Sequence, residues 1–194
     1  MTKQDRAVRT RAALVREAAV LFDRDGYDGT SLARVATAAG ISLGALTFHF
    51  SAKGELADAV VGEGNGLTRA ALHRVTARPE SALGAVVGLT LELARLLEEE
   101  TSVRAALRLS RERAADAAWS ELWLPEVRRL LERAHADGEL RRGVGPGDVA
   151  TLVEYLTAGT AEGSRGGRGD GAAVDRLERL WRLALAGVGS PGRG

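Results

Sequence analysis

Apolar residues recur along this chain at intervals of three and four, the spacing that gathers them on one face of an α-helix, and no stretch sustains the two-residue alternation of a half-buried strand. From Thr10, the residues Leu14, Ala18, Leu21 and Phe22 share a face, and the pattern stops at RDGYDGT, where Gly26 and Gly29 interrupt it. Thr30 or Ser31 then caps a short helix with Leu32, Val35 and Ala36 inward, and Gly40 is placed to end it in a left-handed turn. Ser42 caps a third helix that carries Leu46 and Phe50 on one side. From Ser51 a longer pattern runs through Leu56, Val60, Leu67 and Leu72, and Gly62, Gly64 and Gly66 predict a bend or loosened turns within it.

ARPES, around Pro79, is the first clear punctuation, because proline restricts the residue before it and Ser81 suits a helix start. It divides the chain into a module over residues 1–55, with a linking helix to about 78, and a second module over 79–194. Beyond it the pattern predicts helices over Ser81 to about Glu99, over Val103 to Leu109, and from about Asp116 to Ala136 with an interruption at Pro125. DGELRRGVGPGD reads as a loop, after which Asp148 caps a helix through Val149, Leu152, Val153, Leu156 and Thr160. GSRGGRGDG has the composition of a tether, and a last helix runs from Ala172 to about Ala186 with Leu177, Leu180, Trp181 and Leu185. The fold class is all-α.

Two short helices joined by the tight turn AAGIS are the sequence form of a helix-turn-helix, whose second member enters the major groove of DNA. Ile41, Leu46 and Phe50 would pack against Leu21, Phe22 and Val35, leaving the small residues Ser42, Gly44, Ala45 and Thr47 free to approach base edges and phosphates. Charge supports this locally. Residues 1–53 hold eight cations against five acids, a balance of +3, and the cations crowd an N-terminal arm with Lys3, Arg6 and Arg9.

Globally the chain is nearly neutral, with 27 cationic and 26 anionic side chains, so any nucleic-acid surface has to be local. The absence of cysteine excludes disulfides, thiolate metal sites and cysteine nucleophiles. The three histidines show no metal spacing, and no grouping of Ser, His and Asp announces a nucleophile, so no metal, cofactor or enzymatic activity is expected. His73 and His135 read as surface residues. GEGNG lacks the lysine and hydroxyl of a phosphate loop and follows no strand. No apolar run approaches the roughly 18 residues of a membrane span, and the N-terminus is charged where a signal peptide turns apolar, which predicts a cytoplasmic protein with no membrane partner.

The stretch RTRAALVREAAVLFDRDGYDGTSLARVATAAGISLGALTFHFSAKGEL, from Arg9 to Leu56, resembles the DNA-binding domain of the TetR family of bacterial repressors without a gap. KQDRAVRTR, the FHF triplet, VRAALRLS and DGEL further resemble the γ-butyrolactone receptor branch of that family. The resemblance implies a homodimer on a pseudo-palindromic operator. It also implies a C-terminal ligand-binding and dimerisation domain, and release of DNA when a small effector spreads the reading heads. Thr30, Ser31, Ser42, Gly44, His49 and Lys53 match family positions that contact DNA, mostly its phosphates. Two positions depart: Leu43 stands where the branch has lysine and Thr47 where it has tyrosine, so those two contacts do not carry over. The alternative for His49, beside two phenylalanines, is that it only caps or pads the helix end.

Counting back from DGEL places Trp123 on the tryptophan that the branch carries beside its ligand, and Trp119 lies close by. Plain core packing is the alternative for both. Val87, Leu91, Leu107 and Leu109 are candidate walls, and Thr157 is the candidate hydrogen-bond donor. Such a lining suits a small, largely apolar molecule with one or two oxygens, of the γ-butyrolactone, furan or butenolide type. The reading is thus a repressor of antibiotic or secondary-metabolite genes. Its rivals are a regulator that senses a drug-like molecule and controls efflux or resistance and, from another class, a small helical enzyme or adaptor.

Overall fold

A computed structural model describes residues 3–77, 80–113, 119–164 and 172–189. Pro79, Asp116 and most of the glycine-rich tether lie outside these residues. The described chain forms α1 (Lys3–Asp25), α2 (Leu32–Ala38), α3 (Leu43–His49), α4 (Lys53–Thr76), α5 (Ala82–Glu99), α6 (Thr101–Glu112), α7 (Leu124–Ala136), α8 (Pro146–Ser164) and α9 (Ala172–Val188), with a 3-10 turn over Trp119–Leu122. The chain is all-α. Among the described residues the one β-type pairing is an isolated bridge between Leu140 and Gly189.

The helices separate into two compact units, residues 1–66 with 101–119, and residues 67–100 with 120–194. In the first unit α1, α2, α3 and the start of α4 surround a core of Leu14, Val15, Ala18, Phe22, Val35, Leu46, Phe50, Leu56 and Val60. Helix α6, expected from the sequence within the second domain, packs along α1 and contributes Ala105 and Leu109 to this core. Gly26 and Gly40 take positive φ angles of 76° and 67°, a conformation that side chains with a Cβ adopt only at a cost, and so let the chain turn tightly after α1 and after α2.

In the second unit α5 packs against α7, α8 and α9. Ser81 caps α5 by accepting a hydrogen bond from the Gly84 amide at 2.8 Å, and Glu139 accepts from the amides of Ala82 and Leu83 at 2.9 and 2.7 Å, so the first turn of α5 has its free donors satisfied. At the start of α9, Glu98 accepts from the Ala173 amide at 2.7 Å. Glu92 lies between Arg95 and Arg74, whose guanidinium groups hold its carboxyl below the usual range, Arg95 chiefly.

Three expectations are corrected. First, α1 begins at Lys3, because the arm before Thr10 continues the helix. Second, Pro125 opens α7 instead of interrupting a helix, since it sits in the first turn, where its missing N–H leaves no bond unmade. Third, α4 runs unbroken through all three glycines. Gly64 is there for contact: a Cβ on it would stand 2.4 Å from the Ser102 carbonyl oxygen and 2.7 Å from Ala106 Cβ on α6, whereas Gly62 and Gly66 face open space.

Gly64→Ala is therefore expected to destabilise the protein by about 1–3 kcal/mol through overpacking against α6 backbone. Gly62→Ala and Gly66→Ala should each raise stability by about 0.5–1 kcal/mol, since alanine restricts the unfolded chain and suits a helix interior. Chemical denaturation of the three variants checks both signs.

Candidate nucleic-acid interface

Helix α3 has seven residues, too few to hold together alone, and two devices fix it. Ser42 Oγ accepts a hydrogen bond from the Ala45 amide at 3.1 Å, and Leu46 and Phe50 are fully buried in the first unit's core. The other face is left bare. Ser42, Leu43, Gly44, Ala45 and Thr47 are all exposed, and Phe48 is 84% exposed. Helix α2, in front of it, is capped in the same way by Ser31, whose Oγ accepts from the Arg34 amide at 3.3 Å. Arg34 also pairs with Asp25 at 2.6 Å and donates to the Gly29 carbonyl, tying α2 to the end of α1. Arg24 first, and Arg34 with it, hold the Asp25 carboxyl well below the ordinary range.

The structure therefore brings Ser31, Ser42, Leu43, Gly44, Ala45 and Thr47 to exposed positions on two capped, adjoining helices. Each cap oxygen accepts from backbone, which leaves its hydroxyl hydrogen free to donate outward. Thr47 donates to the Gly44 carbonyl at 3.1 Å. His49 is half-buried, with its ring 5.4 Å from that of Phe48 and nearly perpendicular to it. Arg6 and Arg9 are exposed on the first turns of α1, and Lys3 is the first residue of that helix.

Thr30 belongs elsewhere: it is 2% exposed, and its hydroxyl donates to the Gly26 carbonyl at 2.8 Å, closing the turn after α1. Lys53 is half-buried, its ammonium donating to the Tyr27 carbonyl at 2.9 Å and lying 4.1 Å from the Tyr27 ring centroid, which leaves two of its three protons for another acceptor. Arg11, over the Phe50 ring at 4.7 Å, is a further cation that the sequence pattern did not single out.

Helix α6 grips the same unit through charge. Arg104 pairs with Asp23 at 2.8 Å, Arg108 donates to the Asp23 carbonyl at 2.8 Å, and Glu112 accepts from the Tyr27 amide at 2.6 Å. Arg113 pairs with Asp58 at 2.6 Å and stands 5.1 Å from the Tyr27 ring centroid. Tyr27 thus touches both Lys53 and the end of α6.

The candidate ligand residues divide between the units. Leu107 is half-buried and Leu109 fully buried in the first, Leu109 in its core cluster, and Trp119 ends that unit at 6% exposure. Val87 and Leu91 lie half-buried on α5 in the second unit, where Trp123, 2% exposed, precedes α7, and Thr157, 3% exposed, sits on α8. The Thr157 hydroxyl donates to the Val153 carbonyl at 2.8 Å, so its remaining capacity is as an acceptor and not as the donor expected. Trp181 on α9, absent from the expected set, is 1% exposed and its indole N–H meets no acceptor among the described residues. A groove of about 340 Å³ between α7 and α8 is open and polar, lined by Arg128, Glu132, Glu154 and Thr151 with three small residues, and holds none of the candidates.

Residues 14–60 match the model of bacterial regulatory proteins, tetR family. The A-factor receptor protein of Streptomyces griseus is 27% identical over 99% of this chain and 68% of its own length. The solved gamma-butyrolactone receptor described as an ArpA-like protein is 30% identical, covers 95% of this chain and 90% of its own, and superposes with a TM-score of 0.78. CprB of Streptomyces coelicolor A3(2), a TetR family protein solved in complex with its biological operator sequence, is 31% identical with the same coverage and a TM-score of 0.76. A helix-turn-helix built on capped short helices, together with near full-length similarity at 30% and 31% identity to such proteins, means that this chain belongs to the TetR family, in its γ-butyrolactone receptor branch.

Proposed function

We propose that the protein is a transcriptional repressor that holds a pseudo-palindromic operator as a homodimer and is released from it by a small, largely apolar ligand of the γ-butyrolactone type, so governing antibiotic or secondary-metabolite genes. The observation that carries this is the bare, small-residue face of α3, rigidly backed by Leu46 and Phe50, in a chain similar over 95% of its length to an operator-binding relative. Ser42 and the backbone at Leu43 and Gly44 on this face, with the Ser31 hydroxyl at the start of α2, contact phosphates and base edges, and Lys3, Arg6, Arg9, His49 and Lys53 lie around them.

In the second unit Trp123, Val87 and Leu91 supply an apolar wall. Trp181 supplies a buried donor, since an indole N–H without an acceptor is costly and a ligand oxygen would satisfy it. Duplex from the gene's own promoter should shift in a gel with the full-length protein, and a synthetic γ-butyrolactone should reverse the shift. Trp123→Ala should raise the ligand needed for release at least tenfold, equivalent to about 1.4 kcal/mol, while operator affinity holds. Thermal unfolding is measured alongside, because a cavity at a core tryptophan costs about 3–5 kcal/mol. A stable Trp123→Ala protein that lets go at the original ligand concentration removes this residue from the site.

Lys53 acts on the backbone in this reading. Lys53→Ala should weaken binding to all duplexes alike and flatten the slope of log affinity against log salt by about one per subunit. A changed base preference would contradict the role.

Dimerisation uses the faces of α8 and α9 that show Tyr155 and Leu183 at 75% and 73% exposure, with Leu180 beside them at 42%. Small residues, Ala158 and Gly159, let a second copy approach α8 closely. Sedimentation should give a dimer at micromolar concentration, bound to half-sites roughly 34 Å apart, and Tyr155→Arg with Leu183→Arg should give a monomer with much weaker operator binding.

A further inference from the structure

Between Val35 and Ala52 the chain contains no Lys, Arg, Asp, Glu, Asn or Gln. That run includes the whole of α3 and the turn before it. The side-chain pairings that identify a base by two hydrogen bonds, Arg or Lys to guanine and Asn or Gln to adenine, are therefore unavailable on the reading helix, as is a carboxylate for cytosine. What the helix does present is apolar. Phe48 is two residues beyond the buried Leu46, which at 100° per residue turns it to the opposite side of the helix, and it is 84% exposed while Phe22 and Phe50 are fully buried.

Around Phe48 there is little bulk. Gly44 lies one turn earlier on the same stripe, with open space where a Cβ would be, and Ala45 is beside it. The Thr47 hydroxyl is already donated to the Gly44 carbonyl, and Leu43, 47% exposed, flanks the helix start. A lone aromatic ring standing clear of a small-residue helix face matches one feature of the major groove, the 5-methyl group of thymine, which apolar side chains including Phe contact.

We propose that Phe48 sets operator preference by apolar contact with thymine methyl groups. Sequence is then read at A·T pairs beneath α3 through a methyl group and not through paired hydrogen bonds. This rests on the DNA-binding reading above, and it assigns the outward side chain of α3 a role as specificity determinant.

The test uses the full-length protein and a duplex that it enriches from a random-sequence pool. That duplex is remade with deoxyuridine for thymidine in each half-site in turn and in both. The change keeps every hydrogen bond and removes the methyl. Losing one buried carbon is worth about 0.8 kcal/mol, or roughly fourfold in affinity, so the doubly changed duplex should bind the wild type roughly tenfold or more weakly. Phe48→Ala should bind the thymidine and uridine duplexes within about twofold of each other, which separates a contact at the ring from any effect of uridine on duplex shape. Phe48→Leu, which keeps apolar reach, should retain part of the discrimination. Because Phe48 is exposed, the thermal midpoint of both variants should stay near wild type. Equal wild-type binding to both duplexes, or full discrimination kept by Phe48→Ala, overturns the proposal while leaving DNA binding intact. A pool from which nothing is enriched overturns the DNA-binding reading itself.

Discussion

The short helix α3 depends on burial behind it. Seven residues close too few hydrogen bonds to offset the cost of nucleation, so the helix exists because Leu46 and Phe50 are inserted among Leu14, Phe22, Val35 and Leu56. Each such side chain contributes roughly 1.5–3 kcal/mol on burial, enough to hold two turns of helix in one orientation. The serine caps do the rest by satisfying amides that would otherwise be orphaned at two short helix starts. Because the anchoring is all on one side, the other side is free to be small, uncharged and shaped for a groove.

Rigidity in that unit is also imposed from α6. The helix follows α5 after a single residue, Glu100, and yet packs on α1, with Gly64 allowing α4 backbone to come close to Ser102 and Ala106. Its charged side chains end on the last turn of α1, where Arg104 and Arg108 reach Asp23, and on the turn that follows, where Glu112 reaches the Tyr27 amide. Tyr27 carries the Lys53 ammonium on its other contacts. Any displacement of α6 therefore bears on the same turn that positions a cation of the candidate DNA surface.

Recognition and grip are separated in the surface we propose. The cations lie on α1 and at the start of α4, where they can follow the phosphate backbone without reading it, while α3 has none. Affinity of that origin falls with salt, whereas apolar contact with base methyls does not depend on counterion release. The hydroxyls of Ser31 and Ser42 cap the starts of α2 and α3 between these two regions.

The sequence by itself determined the helical class, the positions of α2, α3, α5 and α9 to within a few residues, and the inward set Leu46, Phe50 and Val35, because periodicity, serine caps and a glycine with positive φ are local properties. Glycine and proline were ambiguous there, since the same residue can break a helix, open one or admit a neighbour. Only packing distinguished Gly64, pressed against α6, from Gly62 and Gly66, and only the helix start made Pro125 harmless. Likewise a hydroxyl or an ammonium in a motif says nothing about whether it is already engaged. The tertiary structure decided that Thr30 closes a turn, that Thr157 donates within its helix, that Leu109 fills the first unit's core and that Phe48 stands outside it, because burial and hydrogen-bond partners depend on residues distant in the chain.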